Sequence, residues 1–354
     1  MKVLYVGPDY RGSNGTCWRD AFVALGCDVR TLDSERLFSW PVTLDERVAA
    51  KLGVGPRRAR VMAFNDALAM GAREFRPQLT FFVQARYVLA DTIAAASTLG
   101  PTVVYYNDDM FNPANQTFTF ASTVRLADCL VTTKSLNVRE FEQAGARAVV
   151  YQPNAYDPAI HFPARPSPSE AARLAGDVVF IGTFRPDRAD FLADVVRGLP
   201  EAVVNVWGDG WDKSRRIAYW PRRRRWKPVR ERVRGGPLWG EDMGKAIQAN
   251  KIALGLLYHA NRDLHTSRSF EIPACGGFML AERTAEHEQH FAEDREAVYF
   301  DSLAELVDKA RYYARRDAER AAIARAGYER CVKSGHRYVD RAQSLLATLG
   351  LTAR

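Results

Sequence analysis

The 354-residue sequence contains few cysteines and no long hydrophobic run. Its five cysteines are scattered, odd in number and without a CxxC pair, which argues against a disulfide framework or a structural zinc site. No stretch approaches the roughly 20 apolar residues that a membrane-spanning helix needs. The apolar run in MKVLYVGPDY is too short for a signal peptide. These absences predict a cytoplasmic protein without a transmembrane segment.

A GxGxxG dinucleotide fingerprint is also absent. The loop after the first predicted strand, residues 8–15, carries its glycines at a different spacing, with Gly7, Gly12 and Gly15. Two interpretations remain open, a plain strand-to-helix turn and a ligand-binding loop that uses Asn14 and Gly15. The sequence contains no short-period repeat, and its one low-complexity segment is a run of arginines.

Positive charge is concentrated in one block, Lys213–Arg234. The block has eleven Lys or Arg residues and one acidic residue, while the whole chain has a net charge of +8. It fits a solvated basic surface, or a patch for anionic membrane or an anionic acceptor glycan. Nucleic acid is not expected as a partner, because no nucleic-acid-binding module is recognisable. The residues of the patch hypothesis are Arg222, Arg223, Arg224 and Arg225, with Trp211, Trp220 and Trp226.

Apolar runs of strand length alternate with helical patterns in both halves of the chain, which predicts an α/β fold with doubly wound parallel sheets. A segment rich in proline and turn residues, 152–169, interrupts the alternation and predicts a linker. We therefore expect a first domain at 1–151, a second at 170–335, and a last helix within 336–354. In the first domain Thr16 is expected to cap a helix that ends at Leu25, and residues 46–75 are expected to be helical.

The stretch Asn261–Arg283 lies between two apolar runs, Ile252–Leu257 and Phe278–Ala281. Pro273 limits its short helix, which is expected to start within 267–270. A helix amino terminus beside Arg268 suits an anion such as a pyrophosphate, and Glu271 beside it suits the hydroxyl pair of a ribose. An ordinary strand–loop–helix crossover is the alternative. The polar residues of the preceding loop are Asp263, His265, Thr266, Ser267 and Arg268.

A second acidic motif follows the predicted strand Thr102–Tyr106. Asp108 and Asp109 come just after the carboxyl end of this strand, where parallel sheets bind ligands. Three interpretations are open. The pair forms a metal-binding motif, it faces a cleft in a metal-free enzyme, or it lies in a solvated loop in which Asp109 caps a turn.

The sequence SFEIPACGGFMLAE resembles the carboxy-terminal signature of group-1-type glycosyltransferases with the GT-B architecture, in particular the CgeB-like branch. FIGTFRPDR, which includes Gly182, Arg185 and Arg188, resembles a second motif of that branch. In these enzymes two acidic residues are separated by seven others, as are Asp263 and Glu271 here. The resemblance implies two Rossmann-like domains that face each other across a cleft.

The resemblance also implies roles for individual residues. Glu271 would hold the ribose of a nucleotide-sugar donor, and Asp263 would approach the sugar, although the broader superfamily usually has Glu at that position. Arg185 and Arg188 would bind the donor diphosphate. The cleft-facing interpretation of Asp108 and Asp109 is favoured by the same resemblance.

The predicted activity is transfer of a sugar, a hexose or a related one, from a nucleotide-diphosphate sugar to an acceptor that the sequence does not identify. Retention of the anomeric configuration is implied by the resemblance, and no metal or other cofactor is expected. If the reaction inverts, Asp108 or Asp109 would serve as the base. The alternatives are a GT-B-fold sugar-nucleotide epimerase and a non-enzymatic binder of anionic glycan or lipid surfaces.

Overall fold

The computed structural model describes residues 1–10, 12–37, 44–45, 48 and 58–353. They form two compact units, each with its own parallel six-stranded sheet. Unit 1 comprises Met1–Pro153, Ala260–Arg262 and Tyr338–Arg354, and unit 2 comprises Asn154–His259 and Asp263–Arg337. The predicted α/β fold with two parallel sheets is confirmed. Within the described ranges, no helix combines the length and the apolar character needed to cross a membrane.

The sheet of unit 1 has the order β2-β1-β3-β4-β5-β6, with every pair of neighbours parallel. Its strands are β1 (Lys2–Gly7), β2 (Asp28–Asp33), β3 (Leu79–Val83), β4 (Thr102–Tyr106), β5 (Cys129–Thr132) and β6 (Val149–Tyr151). The helices described in this unit are α1 (Asn14–Ala24), α2 (Ser34–Leu37), α3 (Arg58–Phe75), α4 (Ala90–Ser97), α5 (Phe120–Leu126), α6 (Ser135–Gln143) and the last helix of the chain, Tyr338–Thr348. A 3₁₀ turn covers Pro113–Asn115.

Two predictions for the first half change in detail. The cap of α1 is Ser13, whose side chain accepts a hydrogen bond from the backbone N–H of Thr16, so Thr16 lies inside the helix. The predicted helix 46–75 is observed from Arg58 onward, and residues 46, 47 and 49–57 lie outside the described residues. The last helix packs against α1 within unit 1, where the rings of Trp18 and Tyr338 are 6.1 Å apart.

The sheet of unit 2 has the order β12-β11-β10-β7-β8-β9 and is also entirely parallel. Its strands are β7 (Gly176–Ile181), β8 (Val204–Trp207), β9 (Val233–Gly235), β10 (Asn250–Gly255), β11 (Met279–Glu282) and β12 (Val298–Phe300). Its helices are α7 (Pro168–Leu174), α8 (Pro186–Gly198), α9 (Lys227–Arg230), α10 (Glu241–Gln248), α11 (Arg268–Ala274), α12 (Ala285–His290), α13 (Leu303–Ala314) and α14 (Asp317–Lys333), so the helix Tyr338–Thr348 of unit 1 is α15. Three 3₁₀ segments cover Trp211–Arg215, Ile217–Arg222 and His259–Asn261.

The strand orders define one topological switch point in each sheet. In unit 1, β2 lies on one side of β1, and β3 to β6 lie on the other. In unit 2 the strands β8 and β9 lie on one side of β7, and β10 to β12 lie on the other. The loops that leave two adjacent strands in opposite directions open a crevice at the carboxyl edge of such sheets, where ligands bind. The expected binding loops are those after β1 and β3, and those after β7 and β10.

The basic block contributes a strand to the sheet of unit 2, although most of its arginines are exposed. Its last residues form β9, which pairs with β8. Trp211 and Trp226 are buried and pack edge-on against Phe184. Burial removes these two tryptophans from the predicted membrane patch, and only Trp220 of the three is exposed.

Candidate functional site

Two arginines from the start of α8 surround one aromatic ring at the switch point of unit 2. The guanidinium carbons of Arg185 and Arg188 lie 4.7 and 5.7 Å from the ring centre of Tyr258, which follows β10. Within the part of the chain that the structure describes, neither arginine forms an ion pair with a carboxylate. Both cations lie at the amino-terminal end of a thirteen-residue helix, where the helix dipole disfavours positive charge. The arrangement therefore suits an anion that binds between them.

The environment of Arg188 makes its charge costly in the absence of such an anion. Burial lowers the pKa of Arg188, and the neighbouring carboxylate of Asp263 acts in the opposite direction. The Asp263 side chain is buried, and its Oδ2 accepts a hydrogen bond from the backbone N–H of Tyr258 at 3.1 Å. Asp263 thus fixes the start of the loop after β10 and lies near Arg188, one of the two arginines predicted to bind the diphosphate.

Glu271 of α11 is buried, with 4% of its surface exposed, between two basic side chains. Its Oε2 pairs with Arg268, and its Oε1 lies 3.5 Å from His161 Nε2. His161 Nδ1 accepts the backbone N–H of Asp157, so the ring proton is on Nε2 and points to the carboxylate. Each carboxylate oxygen has a further lone pair that is able to accept a hydroxyl proton. The geometry is compatible with the predicted ribose contact.

Arg268 and His161 have depressed pKa values because both are buried. Burial lowers the pKa of Arg268 to about 10, and Arg188 contributes in the same direction. Burial, together with the charge of Arg268, lowers the pKa of His161 to about 3. His161 is therefore neutral near pH 7, and the positive charge beside Glu271 belongs to Arg268, which also donates to the carbonyl of Ile181 at 2.9 Å.

His265, predicted as a donor contact, is a structural residue instead. It is buried, its Nε2 accepts the backbone N–H of Asn154 at 2.9 Å, and its Nδ1 hydrogen-bonds to Glu286. Both ring nitrogens are thus occupied by protein groups, which leaves no polar atom of the ring for a ligand. The histidine joins the loop after β10 to the start of unit 2 and to α12.

Gly182 also has a packing role rather than the predicted ligand contact. Its N–H donates to the carbonyl of Trp207, and its carbonyl accepts from Trp211 Nε1 at 3.0 Å. A Cβ at Gly208 would lie 1.9 Å from the carbonyl oxygen of Gly182. The two glycines allow the ends of β7 and β8 to approach each other.

Thr266 and Ser267 form the turn that leads into α11. Ser269 Oγ accepts the N–H of Thr266, and the carbonyl of Ser267 accepts the N–H groups of Phe270 and Glu271. Ser267 is the N-cap residue, so the helix starts where the sequence predicted. Because α11 has only seven residues, its dipole is weak, and the arginines carry most of the positive charge at this site.

A second candidate site is a cavity of about 590 Å³ at the switch point of unit 1. It is lined by the loops after β1 and β3, and the predicted residues Asn14, Gly15 and Asp108 lie in its wall. A Cβ at Gly15 would lie 2.6 Å from the hydroxyl of Tyr5, so the start of α1 approaches the sheet closely only with glycine. Polar groups from several elements line the cavity: Ser13, Ser34, Glu35, Gln84, Arg86 and Asn107.

The loop after β3 has backbone geometry that is unusual for its residue types. Gln84, Ala85 and Tyr87 have positive φ angles of 60°, 46° and 63°. Such conformations cost roughly 1–3 kcal/mol each and cluster at functional sites. Gln84 Nε2 donates to Asn107 Oδ1 at 2.8 Å and to Asp108 Oδ2 at 2.7 Å, which fixes the Asp108 carboxylate at the cavity wall.

Asp109 does not share the environment of Asp108. It is buried, and Arg262 donates to its Oδ2 at 2.6 Å and to its Oδ1 at 2.8 Å. These bonds, with that from Asn137, hold the pKa of Asp109 below its usual value despite the opposing effect of burial, which is the largest single contribution. Asp109 is thus committed to a structural ion pair in unit 1, and Asp108 is the remaining candidate for the predicted base. No group of three or more His, Cys, Asp or Glu side chains among the described residues is arranged to hold a metal ion.

Sequence reasoning missed four residues that shape these sites. Tyr258 and His161 lie in segments that were treated as a strand end and a linker. Gln84 has no motif of its own, and Glu282, the last residue of β11, accepts the backbone N–H of Leu257 and holds the loop after β10. Tyr258 and Gln84 each follow a strand that borders a switch point, and this position could have marked them as site residues. The sequence alone does not give the strand order that defines the switch points.

Comparisons with known proteins agree with this architecture. Residues 185–347 match the model of a family described as glycosyl transferase-like, and this description does not distinguish the CgeB-like branch. A search of curated proteins found no match. The fold is similar to that of HepE from Anabaena in complex with UDP-glucose, with a TM-score of 0.67, 15% identity and 99% of both chains covered.

Two further solved structures share the fold. Sucrose-phosphate synthase from Thermosynechococcus elongatus has a TM-score of 0.66 and 12% identity, with 99% of both chains covered. A glycosyltransferase from Rickettsia africae has a TM-score of 0.63 and 10% identity, with 99% of this chain and 97% of that chain covered. At these identities the likeness establishes the fold.

Proposed function

We propose that this protein is a glycosyltransferase that binds a nucleoside-diphosphate sugar in unit 2 and an acceptor in unit 1. The observation that carries the proposal is the pair Arg185 and Arg188, two cations without a carboxylate partner among the described residues, at the switch point of unit 2. The family match begins at Arg185, and the donor UDP-glucose is the ligand of Anabaena HepE, a protein of similar fold.

The donor diphosphate lies between the two arginines, whose planar guanidinium groups pair with two oxygens at once. Glu271 accepts the ribose hydroxyls. Its negative charge is balanced by the ion pair with Arg268. Tyr258 supplies the face against which both arginines are held.

The reaction breaks the bond between the anomeric carbon and the diphosphate oxygen, and a new bond forms to the acceptor oxygen, whose proton passes to the departing diphosphate. Negative charge grows on the departing diphosphate, and Arg185 and Arg188 stabilise it without a metal ion. Retention of configuration is part of the proposal and rests on the acidic pair Asp263 and Glu271. An inverting reaction would use Asp108 as the base, because it lines the cavity of unit 1.

The test measures nucleotide release from a panel of UDP- and GDP-sugars, with and without a panel of sugar acceptors. We expect release that depends on the acceptor, and a product whose anomeric configuration, followed by proton NMR, matches that of the donor. An altered sugar nucleotide formed without acceptor would replace the proposal by an epimerase. No turnover and no binding of any donor would leave only a non-enzymatic binder.

A further inference from the structure

Two large apolar side chains are exposed on the surface of unit 2. Ile217 and Trp220 have 88% and 65% of their surfaces exposed, and Ile217 is the most exposed large apolar side chain among the described residues. They lie three residues apart in the 3₁₀ segment Ile217–Arg222, which has a kink at Tyr219. A single exposed apolar residue is ordinary, but an isoleucine and a tryptophan that are both largely exposed within four residues of each other indicate a surface that contacts an apolar phase.

Four exposed arginines flank these two side chains within residues 215–224. In the part of the chain that the structure describes, none of the four has a carboxylate partner. They are Arg215, Arg216, Arg223 and Arg224. The Arg223 guanidinium lies 5.1 Å from the ring centre of Trp220. Burial and then the charges of Arg223 and Arg215 lower the pKa of Arg230, which indicates that these cations lie close together.

Two further arginines of the block hold this surface in place. Arg222 and Arg225 form ion pairs with Asp190 and Asp194 of α8. Trp226 Nε1 also donates to Asp190 at 2.9 Å. These contacts anchor the segment that contains Ile217 and Trp220 to the core of unit 2. The entropy cost of ordering this surface on binding is therefore small.

We propose that Ile217, Trp220 and the arginines at 215, 216, 223 and 224 form a docking surface for an anionic lipid bilayer. Tryptophan favours the bilayer interface, arginine pairs with lipid phosphates, and Ile217 gains free energy only by entering an apolar phase. A nucleic acid or an acidic glycan would satisfy the arginines but leave Ile217 in water. This surface shares no residue with the proposed donor site, so the proposal goes beyond the sugar transfer.

The experiment is sedimentation of the full-length protein with vesicles of phosphatidylcholine alone or with 30% phosphatidylglycerol. Binding is expected to the anionic vesicles only, and to fall steeply with salt. At about 1 kcal/mol for each arginine, the double variant Arg223→Ser/Arg224→Ser loses affinity on the order of 30-fold. Arg315→Ser/Arg316→Ser, which removes the same charge from another exposed part of unit 2, serves as the matched control and keeps wild-type binding.

The variant Ile217→Ser/Trp220→Ser separates lipid from other polyanions. It should lose vesicle binding by at least tenfold while the Tm and UDP binding stay at the wild-type level. Quenching of Trp220 by brominated lipid, lost in Trp220→Phe, reports insertion directly. Equal vesicle binding by this variant and wild type overturns the proposal. Tight binding of heparin or single-stranded RNA without vesicle binding also overturns it and assigns the arginines to a polyanion. None of these outcomes depends on whether the protein transfers a sugar.

Discussion

At the residue scale, the candidate donor site contains positive charge that does not stabilise the protein by itself. Arg188 is half-buried at a helix amino terminus, where both burial and the dipole oppose its charge. Its guanidinium carbon lies 5.9 Å from the ring centre of Phe180 and 5.7 Å from that of Tyr258. A cation with a perturbed pKa and no ion-pair partner among the described residues is a candidate for a functional site.

The first prediction tests this candidate with Arg188→Met, which keeps the stem and removes the charge. UDP affinity should fall about 10- to 100-fold, the equivalent of roughly 1.5–3 kcal/mol for a hydrogen bond to a charged group. The Tm should stay the same or rise, because an unfavourable charge is lost. Arg197→Met, at the other end of the same helix and paired with Asp194, is the control for calorimetry and should bind UDP as the wild type does. Unchanged UDP affinity in Arg188→Met would remove this residue from the donor site.

Buried histidines give unit 2 a defined dependence on pH. The pKa values of His161 and His287 are lowered to about 3 and about 4, chiefly by burial. In the unfolded chain a histidine titrates near 6.5. Between these values the unfolded state binds more protons than the native state. The contribution of these two histidines to the free energy of unfolding is thus fully present above pH 6.5 and is lost as the pH falls towards 4.

The second prediction follows from this difference. The free energy of unfolding in urea should fall between pH 6.5 and 4, by at most about 1.4 kcal/mol per pH unit for each histidine. His161→Gln keeps an acceptor for the Asp157 N–H and a donor for Glu271 but does not titrate, so its slope should be smaller than that of the wild type. An identical slope in the two proteins would show that His161 is protonated in the native state.

At the scale of elements, the close approach of the ends of β7 and β8 requires glycine. Gly208 has a φ of 149°, and a Cβ there would lie 1.9 Å from the carbonyl oxygen of Gly182. This carbonyl also accepts a hydrogen bond from Trp211 Nε1, which limits its freedom to move away from Gly208. The loop after β7, which carries Arg185, starts from this junction, and its position depends on the packing of the two strands.

The third prediction compares Gly208→Ala with Gly71→Ala. Gly208→Ala should lower the free energy of unfolding by about 2 kcal/mol or more, because it adds backbone strain and a clash with a backbone atom. Gly71, in the middle of α3, has open space where a Cβ would be, so Gly71→Ala should raise the stability by roughly 0.5–1 kcal/mol. Urea unfolding curves measure both. A neutral Gly208→Ala would mean that β7 and β8 separate easily at this point.

At the scale of the whole molecule, each sheet carries a differently charged site at its switch point. The site in unit 2 is dominated by arginines, and the cavity in unit 1 is lined mainly by amide, hydroxyl and carboxylate groups. The first suits a diphosphate and the second suits the hydroxyl groups of an acceptor sugar. In the proposed reaction, protein side chains therefore neutralise the charge of the departing diphosphate.

The fourth prediction concerns this assignment. Sugar transfer should continue in EDTA at close to the rate measured before chelation, because arginines neutralise the diphosphate. Nucleotide release after chelation, compared with release after adding back Mn²⁺ or Mg²⁺, measures the effect. Complete loss in EDTA with full recovery on adding metal would give the diphosphate to a metal ion. The Arg188→Met enzyme should then retain most of its UDP affinity.

The sequence by itself determined most of the order of strands and helices, because hydrophobic periodicity and turn residues act locally, but β9 within the basic block was not predicted. Strands such as Thr102–Tyr106 were predicted with the observed bounds, and the start of α11 was predicted within the range 267–270. The placement of Arg185 and Arg188 just after a strand of the second sheet was also readable, since it depends only on neighbouring residues. The sequence resemblance added the GT-B type of fold, which the comparisons support.

Tertiary structure decided which polar side chains face a cavity and which are buried with partners. His265, Asp109 and Trp226 look like site or surface residues in the sequence, yet each pairs with a group distant in the chain: Asn154, Arg262 and Asp190, respectively. A buried polar group is stable only when such a partner is present, and the strand order selects the partner. The same order placed Tyr258 beside two arginines and Gln84 beside Asp108, so the chemistry of both candidate sites follows from long-range packing rather than from local motifs.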